Sequence, residues 1–188
     1  MAKLGPLFGT GDVTFCPVAG SCKQVSSGHA YPNGLIYSHV DGQIYVPSAG
    51  VGGVKIYKPQ PGNELEYVSA LDIFHAIDNL SEDSVGGIYA AVHSRGIEIL
   101  KQVEDPLGIH PASAVIRIQR TEGGGFEWEK ILEDRDGMVL PGTTTVVHDA
   151  KTGRLFLSGE CSAQRIEHFD LTSSLGVMSP FITVCNPV

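Results

Sequence analysis

Asp78-Asn79-Leu80-Ser81-Glu82-Asp83-Ser84-Val85-Gly86-Gly87-Ile88-Tyr89-Ala90-Ala91-Val92-His93 decides the fold of this chain. A polar lead-in passes into a short apolar strand, a Gly-Gly pair supplies a tight turn, and a second strand follows that is apolar from Ile88 to Val92. The same pattern stands on either side of it. Upstream, Asn33-Gly34-Leu35-Ile36-Tyr37 leads through Asp41-Gly42 to Gln43-Ile44-Tyr45-Val46; downstream, Gly142-Thr143-Thr144-Thr145-Val146-Val147 leads through Thr152-Gly153 to Arg154-Leu155-Phe156-Leu157. A third strand follows each, beginning near Gly53, Ala114 and Gln164, with a period-2 alternation that predicts one face more exposed than the other. A fourth follows in turn, near Glu66, Phe126 and Phe181.

Four short antiparallel strands recurring about every 45 to 65 residues are the signature of propeller blades. The reading is an all-β chain: a partial β-propeller of four-stranded antiparallel blades, about three and a half of them, fewer than a closed ring needs. The blades run over 12–28, 33–72, 78–134 and 142–188 as a single partial-propeller domain, the first contributing only its last two strands. A short helix is expected near Leu71 to Ala76 and a helical turn around Ile97 to Val103, within the long connection from Arg95 to Pro111.

Composition agrees with this reading and narrows the function. With 23 Gly and 11 Pro and only 18% charged residues, the chain is rich in turn formers and poor in the mixture long helices favour. Its net charge of −8 brings no basic stripe to neutralise phosphates, which argues against nucleic acid and anionic membranes and for cations or neutral ligands. No apolar run approaches the roughly 20 residues that span a bilayer, so a soluble protein is expected, of unassigned compartment. The opening Met1-Ala2-Lys3-Leu4-Gly5-Pro6-Leu7-Phe8 is too short and too broken to be a secretory core, so either no signal exists or the polypeptide begins within a longer product. Four cysteines show no C-x-x-C spacing; Cys16 with Cys22 and Cys161 with Cys185 could pair, and buried free thiols are the alternative.

In a propeller the first strand of each blade lines the central channel, so equivalent positions in successive blades meet near the axis. Asn33, Asp78, Asn79 and the Gly142-Thr143-Thr144 stretch are such positions. Carboxylate and amide oxygens sharing a centre are the hard ligands calcium selects, in sets of six to eight. Each also has a plainer reading: Asn33 before Gly34 is a turn residue, and Asn79-Leu80-Ser81 is a glycosylation acceptor that a channel position would hide. The ends of the second strands, Ser48-Ala49, Val92-His93-Ser94 and Gly159-Glu160, form a further layer at the channel mouth. His93 there is either a structural histidine or a general base beside a cation. The other histidines, His29 and His148 among them, receive no role. Tyr31 is either a core aromatic or a wall of an apolar pocket. Gly9-Thr10-Gly11 and Gly123-Gly124-Gly125 lack the lysine of a phosphate loop, and no G-x-S-x-G elbow is present.

The runs Asp78-Asn79-Leu80-Ser81-Glu82-Asp83, Gly87 to Ser94, Ala114-Val115-Ile116-Arg117-Ile118-Gln119 and Met138-Val139-Leu140-Pro141-Gly142-Thr143-Thr144, in this order and spacing, resemble the second half of the paraoxonase/arylesterase family. The Tyr31 to Tyr57 region resembles the blade before them, so the likeness covers about residues 12 to 171. More distant relatives of this architecture are the gluconolactonase and strictosidine-synthase-like propellers. The resemblance implies a six-bladed propeller, of which this chain is about half, and a calcium-dependent hydrolase of lactones or aryl esters. It implies Asn33, Asp78 and Asn79 as calcium ligands, His93 as an active-site histidine, and Thr144 as a wall of a pocket that Tyr31 and Glu160 would share. The remaining ligands and the family's water-activating histidine pair belong to the half this chain does not contain. The expected partners are an apolar small-molecule substrate and a homodimer or complementary chain that completes the ring. The alternatives are a propeller that binds or cyclises a small metabolite without hydrolysis, and an inactive truncated binding protein.

Overall fold

A computed structural model describes residues 9–105, 108–159 and 167–170. The chain forms two compact units that meet inside one strand, Met1–Ile77 and Asp78–Val188. The architecture is that of a partial β-propeller: antiparallel sheets follow one another along the chain, each a meander of neighbouring strands.

In the first unit, β1 (Gly11–Phe15) and β2 (Lys23–His29) pair as the expected half-blade. A disulfide between Cys16 and Cys22 closes the loop between them, which settles the fate of that pair. Next comes the blade β3 (Ile36–Tyr37), β4 (Ile44–Pro47), β5 (Val54–Gln60) and β6 (Glu64–Leu71), hydrogen-bonded in that order. Its Asp41-Gly42 turn forms for a readable reason. The Asp41 carboxylate accepts the Gln43 N–H at 2.9 Å and the Tyr45 hydroxyl at 2.5 Å, and the Ser38 hydroxyl oxygen accepts the Val40 and Asp41 N–H groups. Val13, Val46 and Tyr57 are buried together, with Val25, Ile44 and Leu65 packed on them, and join the half-blade to the full one.

The helix expected near Leu71 to Ala76 is not formed. β6 continues to Leu71, β7 begins at Ala76, and only the irregular residues 72–75 lie between. Four residues are too few to repay helix nucleation. Their backbone is instead pressed against Gly52, where a Cβ would lie 2.3 Å from the Ile73 carbonyl oxygen and 2.6 Å from that of His75.

The second unit holds the blade β7 (Ala76–Glu82), β8 (Ile88–His93), β9 (Ser113–Arg120) and β10 (Phe126–Asp134), and then β11 (Thr143–Asp149), β12 (Arg154–Gly159) and β13 (Glu167–Asp170). The fourth strand expected near Phe181 lies outside the described residues, as do Cys161 and Cys185. One α-helix, α1 (Gly96–Glu104), occupies the β8–β9 connection, where a helical turn was expected. β8 is buried along its whole length, and β9 is buried on both faces from Ser113 to Ile116, so the expected one-sided alternation fails there. The reason is packing between sheets. Tyr89, Ala91 and Val115 form one apolar cluster with Leu140, Val146, Leu155 and Leu157 of the next blade, and strands covered on both sides read as continuous apolar runs.

A polar contact clasps the same two blades. His148 Nδ1 lies 2.7 Å from Asp83 Oδ2, and the His148 ring stacks on Tyr89 with centroids 4.5 Å apart. Asp83 Oδ1 also accepts the Val85 and Gly87 N–H groups, fixing the β7–β8 turn. Burial by itself would raise the Asp83 pKa, but the bond from His148 and the two N–H donors outweigh it and hold the carboxyl below its ordinary range. A folded-state pKa below the unfolded one means that this stabilisation is present above the ordinary carboxylate range and is lost as pH falls through the folded value. Asp83→Asn should therefore destabilise the protein by about 2 kcal/mol at neutral pH. Denaturant unfolding at a series of pH values should show wild type and variant converging in acid; a constant difference down to strong acid would contradict the assignment.

Candidate functional site

β7 places Asp78 and Asn79 side by side near its start, and β8 ends on His93 in the neighbouring strand of the same sheet. Asp78 is 8% exposed and His93 3%, so both are withdrawn from bulk water. His93 Nε2 stands 3.3 Å from Asp78 Oδ2. A carboxylate only accepts, so Nε2 carries the proton, and in the neutral ring Nδ1 is an acceptor with a free lone pair. That Nδ1 is buried and has no hydrogen-bond partner among the described residues.

Asn79 is oriented by its amide nitrogen. Nδ2 donates to Asp78 Oδ1 at 2.9 Å, to the Thr144 carbonyl at 2.9 Å and toward Thr145 Oγ1 at 3.3 Å. With the NH2 group committed to these acceptors, the amide oxygen is turned away from them. Of the positions expected to converge, Asp78, Asn79 and the Thr144 carbonyl lie together in the second unit. Thr144 takes part through its carbonyl, while its hydroxyl approaches the Ser158 carbonyl at 3.4 Å.

Asp78 finds no Lys or Arg among the described residues; its partners are the Asn79 amide and the His93 ring. A buried carboxylate without a full cation is costly unless a cation joins it. One carboxylate and one pre-oriented amide oxygen are donors of the kind calcium takes, and they form part of a set rather than a whole one. Among the described residues no three His, Cys, Asp or Glu side chains gather in a way that would hold a metal ion.

Asn33 belongs to the first unit, half-buried in the bend before β3, with its N–H donating to the Pro47 carbonyl at 3.3 Å. Tyr31 is exposed there, with a left-handed φ of 47° and a carbonyl that accepts the Ala49 N–H. Glu160 falls outside the described residues. Two histidines given no role are buried or half-buried structural groups: His148, in the clasp above, and His29. His29 Nε2 bonds to the Ser26 hydroxyl at 2.8 Å, and burial, aided by the Lys55 charge, pushes the ring pKa down.

One residue near the site carries no sequence signal at all. Gln102 of α1 is 3% exposed, its Nε2 has no partner, and its amide lies against Gly142, where a Cβ would come 2.4 Å from Oε1. A single glutamine on a short helix gives a reader nothing to single it out.

Comparison with known proteins supplies the family. The sequence matches the arylesterase family over residues 8–164. No curated protein matches it. Among solved structures, it is similar to a structural-genomics target assigned as a gluconolactonase, with 17% identity and a TM-score of 0.46 over 75% of this chain and 40% of that one. It is also similar to the periplasmic gluconolactonase PpgL of Pseudomonas aeruginosa, with 13% identity and a TM-score of 0.41 over 87% of this chain and 60% of that one. The chain thus spans 40% and 60% of the lengths of those two structures.

Proposed function

The chain belongs to the arylesterase family, and we propose that it supplies one half of a calcium-dependent site that hydrolyses lactones or aryl esters. The observation that carries this reading is the group of buried Asp78 and His93 with half-buried Asn79: an uncompensated carboxylate, an oriented amide oxygen and a histidine nitrogen facing away from its anchor. Asp78 and Asn79 would hold calcium. A bound calcium ion would supply polarisation of the ester carbonyl and charge for its developing oxyanion.

The chain's own residues do the rest. Asp78 fixes the His93 ring and keeps the proton on Nε2, which leaves Nδ1 basic and able to take a proton from water. Burial of this group keeps its electrostatic interactions strong. Thr144 would bound the substrate pocket. Because the donor set in hand is partial, a second copy or a complementary chain would contribute the remaining oxygens and close the open blade of β1 and β2. A mass in solution of twice the chain, or co-purification with a complementary chain, supports that completion.

Thermal unfolding against calcium concentration tests the reading. Calcium at about 100 times its dissociation constant should stabilise the fold by about 2.7 kcal/mol, a Tm rise of roughly 5–10 °C for a chain of this size. Asp78→Asn should remove most of that rise. A wild-type Tm that does not respond to calcium would defeat the proposal.

A further inference from the structure

Beside the calcium-ligand pair, the second unit holds buried polar atoms for which the fold provides no use. Among the described residues, His93 Nδ1, Ser94 Oγ and Gln102 Nε2 are buried without a hydrogen-bond partner. Leaving a buried polar group unsatisfied is costly, so three within ten residues call for something that satisfies them.

A run of contacts leads from His93 to Gln102. His93 pairs across the β8–β9 ladder with Ser113, and directly paired residues project on the same face of a sheet. Ser113 Oγ accepts the Thr143 N–H at 2.9 Å, Thr143 follows Gly142, and Gly142 is the residue on which the Gln102 amide rests. α1 is docked to the same place: the Ala112 N–H reaches Glu98 Oε2 at 3.4 Å, and the Gly142 N–H reaches the Pro111 carbonyl at 3.3 Å. Gly142 has a φ of +60° and no side chain, and a Cβ there would displace Gln102. The glycine just before β11 therefore also makes room for the buried Gln102 amide.

The chemistry of the two unused nitrogens is complementary. With its proton on Nε2 toward Asp78, the neutral His93 ring presents Nδ1 as an acceptor, whereas Gln102 Nε2 can only donate. A group that satisfies both at once must donate and accept through one atom, which is the description of a hydroxyl oxygen.

We propose that Gln102 Nε2 and His93 Nδ1 hold one hydroxyl oxygen between them, making Gln102 a ligand-positioning residue of this site. The proposal rests on the hydrolase reading for its functional sense, but the contact itself does not require turnover. Two sources share the chemistry. One is a water molecule, which Gln102 would orient for proton loss to His93; the other is a hydroxyl of the substrate, in which case the site prefers hydroxylated lactones.

Nitrogen-15 NMR of the His93 ring in the full chain tests it without calcium or catalysis, with His93→Gln used for assignment. In the wild type the Nδ1 resonance should carry the shift of an accepted hydrogen bond. Gln102→Met should move it toward the free-acceptor position and leave the Asp78-bound Nε2 in place. Gln102→Glu, of the same shape but without the amide donor, gives the same comparison if methionine is not accommodated. A Gln102 that only packs predicts the opposite pattern: removal of an unpartnered amide raises Tm and Nδ1 does not move, which would overturn the proposal.

The sources separate on γ-butyrolactone and α-hydroxy-γ-butyrolactone. If water is held, the Nδ1 shift is present without lactone, and Gln102→Met lowers kcat on both with KM unchanged. If a substrate hydroxyl is held, the shift appears only with the hydroxylated lactone, and its KM alone rises, by about tenfold or more. Absence of the Nδ1 shift in the resting chain and with either lactone also overturns the proposal. Failure of the calcium response would sink the hydrolase reading while leaving the Nδ1 comparison valid.

Discussion

Under the proposed hydrolase function, replacing His93 by Gln should lower lactone hydrolysis by about 10²–10⁴-fold, the usual contribution of a positioned general base. The substitution is chosen to isolate one atom. A glutamine amide can still donate to Asp78 Oδ2, as His93 Nε2 does at 3.3 Å, so the buried carboxylate keeps its partner. What disappears is the basic Nδ1, which has no structural bond to lose. Steady-state turnover of γ-butyrolactone and phenyl acetate, read beside Tm, checks this. Loss of turnover with Tm nearly unchanged and the calcium response retained is the expected result. Full activity in the variant would make His93 a structural residue.

Gly137→Ala produces the largest expected loss of stability in the second unit. Its φ is +60°, and an added Cβ would stand 2.3 Å from the His110 carbonyl oxygen and 2.9 Å from that of Pro111. The left-handed conformation alone costs a residue with a side chain about 1–2 kcal/mol, and the backbone clash raises the total to about 3 kcal/mol or more. For a chain of this size that is a Tm lower by roughly 6–12 °C. The effect should reach the site, because the Pro111 carbonyl accepts the Gly142 N–H next to the Thr143–Ser113 bond. Gly123→Ala is the control, since nothing lies within 4 Å of a Cβ there and its φ is not left-handed. Equal behaviour of the two variants would contradict this account.

Local chemistry was legible in the sequence. Asp41-Gly42, Gly86-Gly87 and Thr152-Gly153 mark turns because their preference is local, and the Asp78-Asn79 pair is visible because the repeat puts it at a first strand. Contacts between blades were not legible. Asp83 and His148 lie 65 residues apart, and nothing near either names the other. β9 read as half-exposed because its alternation is real in the sequence, but the blade containing Val146 and Leu155 covers its second face. Gln102 was missed for a related reason: an orphaned donor is a property of surroundings, not of residue type. The segment at 72–75 misled through its apolar Ile73 and Phe74, which suit a helix in composition but sit in a connection too short to hold one.

The central claim is that Asp78 and Asn79 are calcium ligands next to a catalytic histidine. A crystal structure grown with calcium, with the ion located by anomalous scattering, tests it most directly. The account predicts an ion within about 2.3–2.6 Å of an Asp78 carboxylate oxygen and of Asn79 Oδ1, with Nδ2 still turned to the Thr144 carbonyl. Calcium bound away from both residues, or Asn79 Oδ1 facing another protein donor while the ion sits elsewhere, would contradict it.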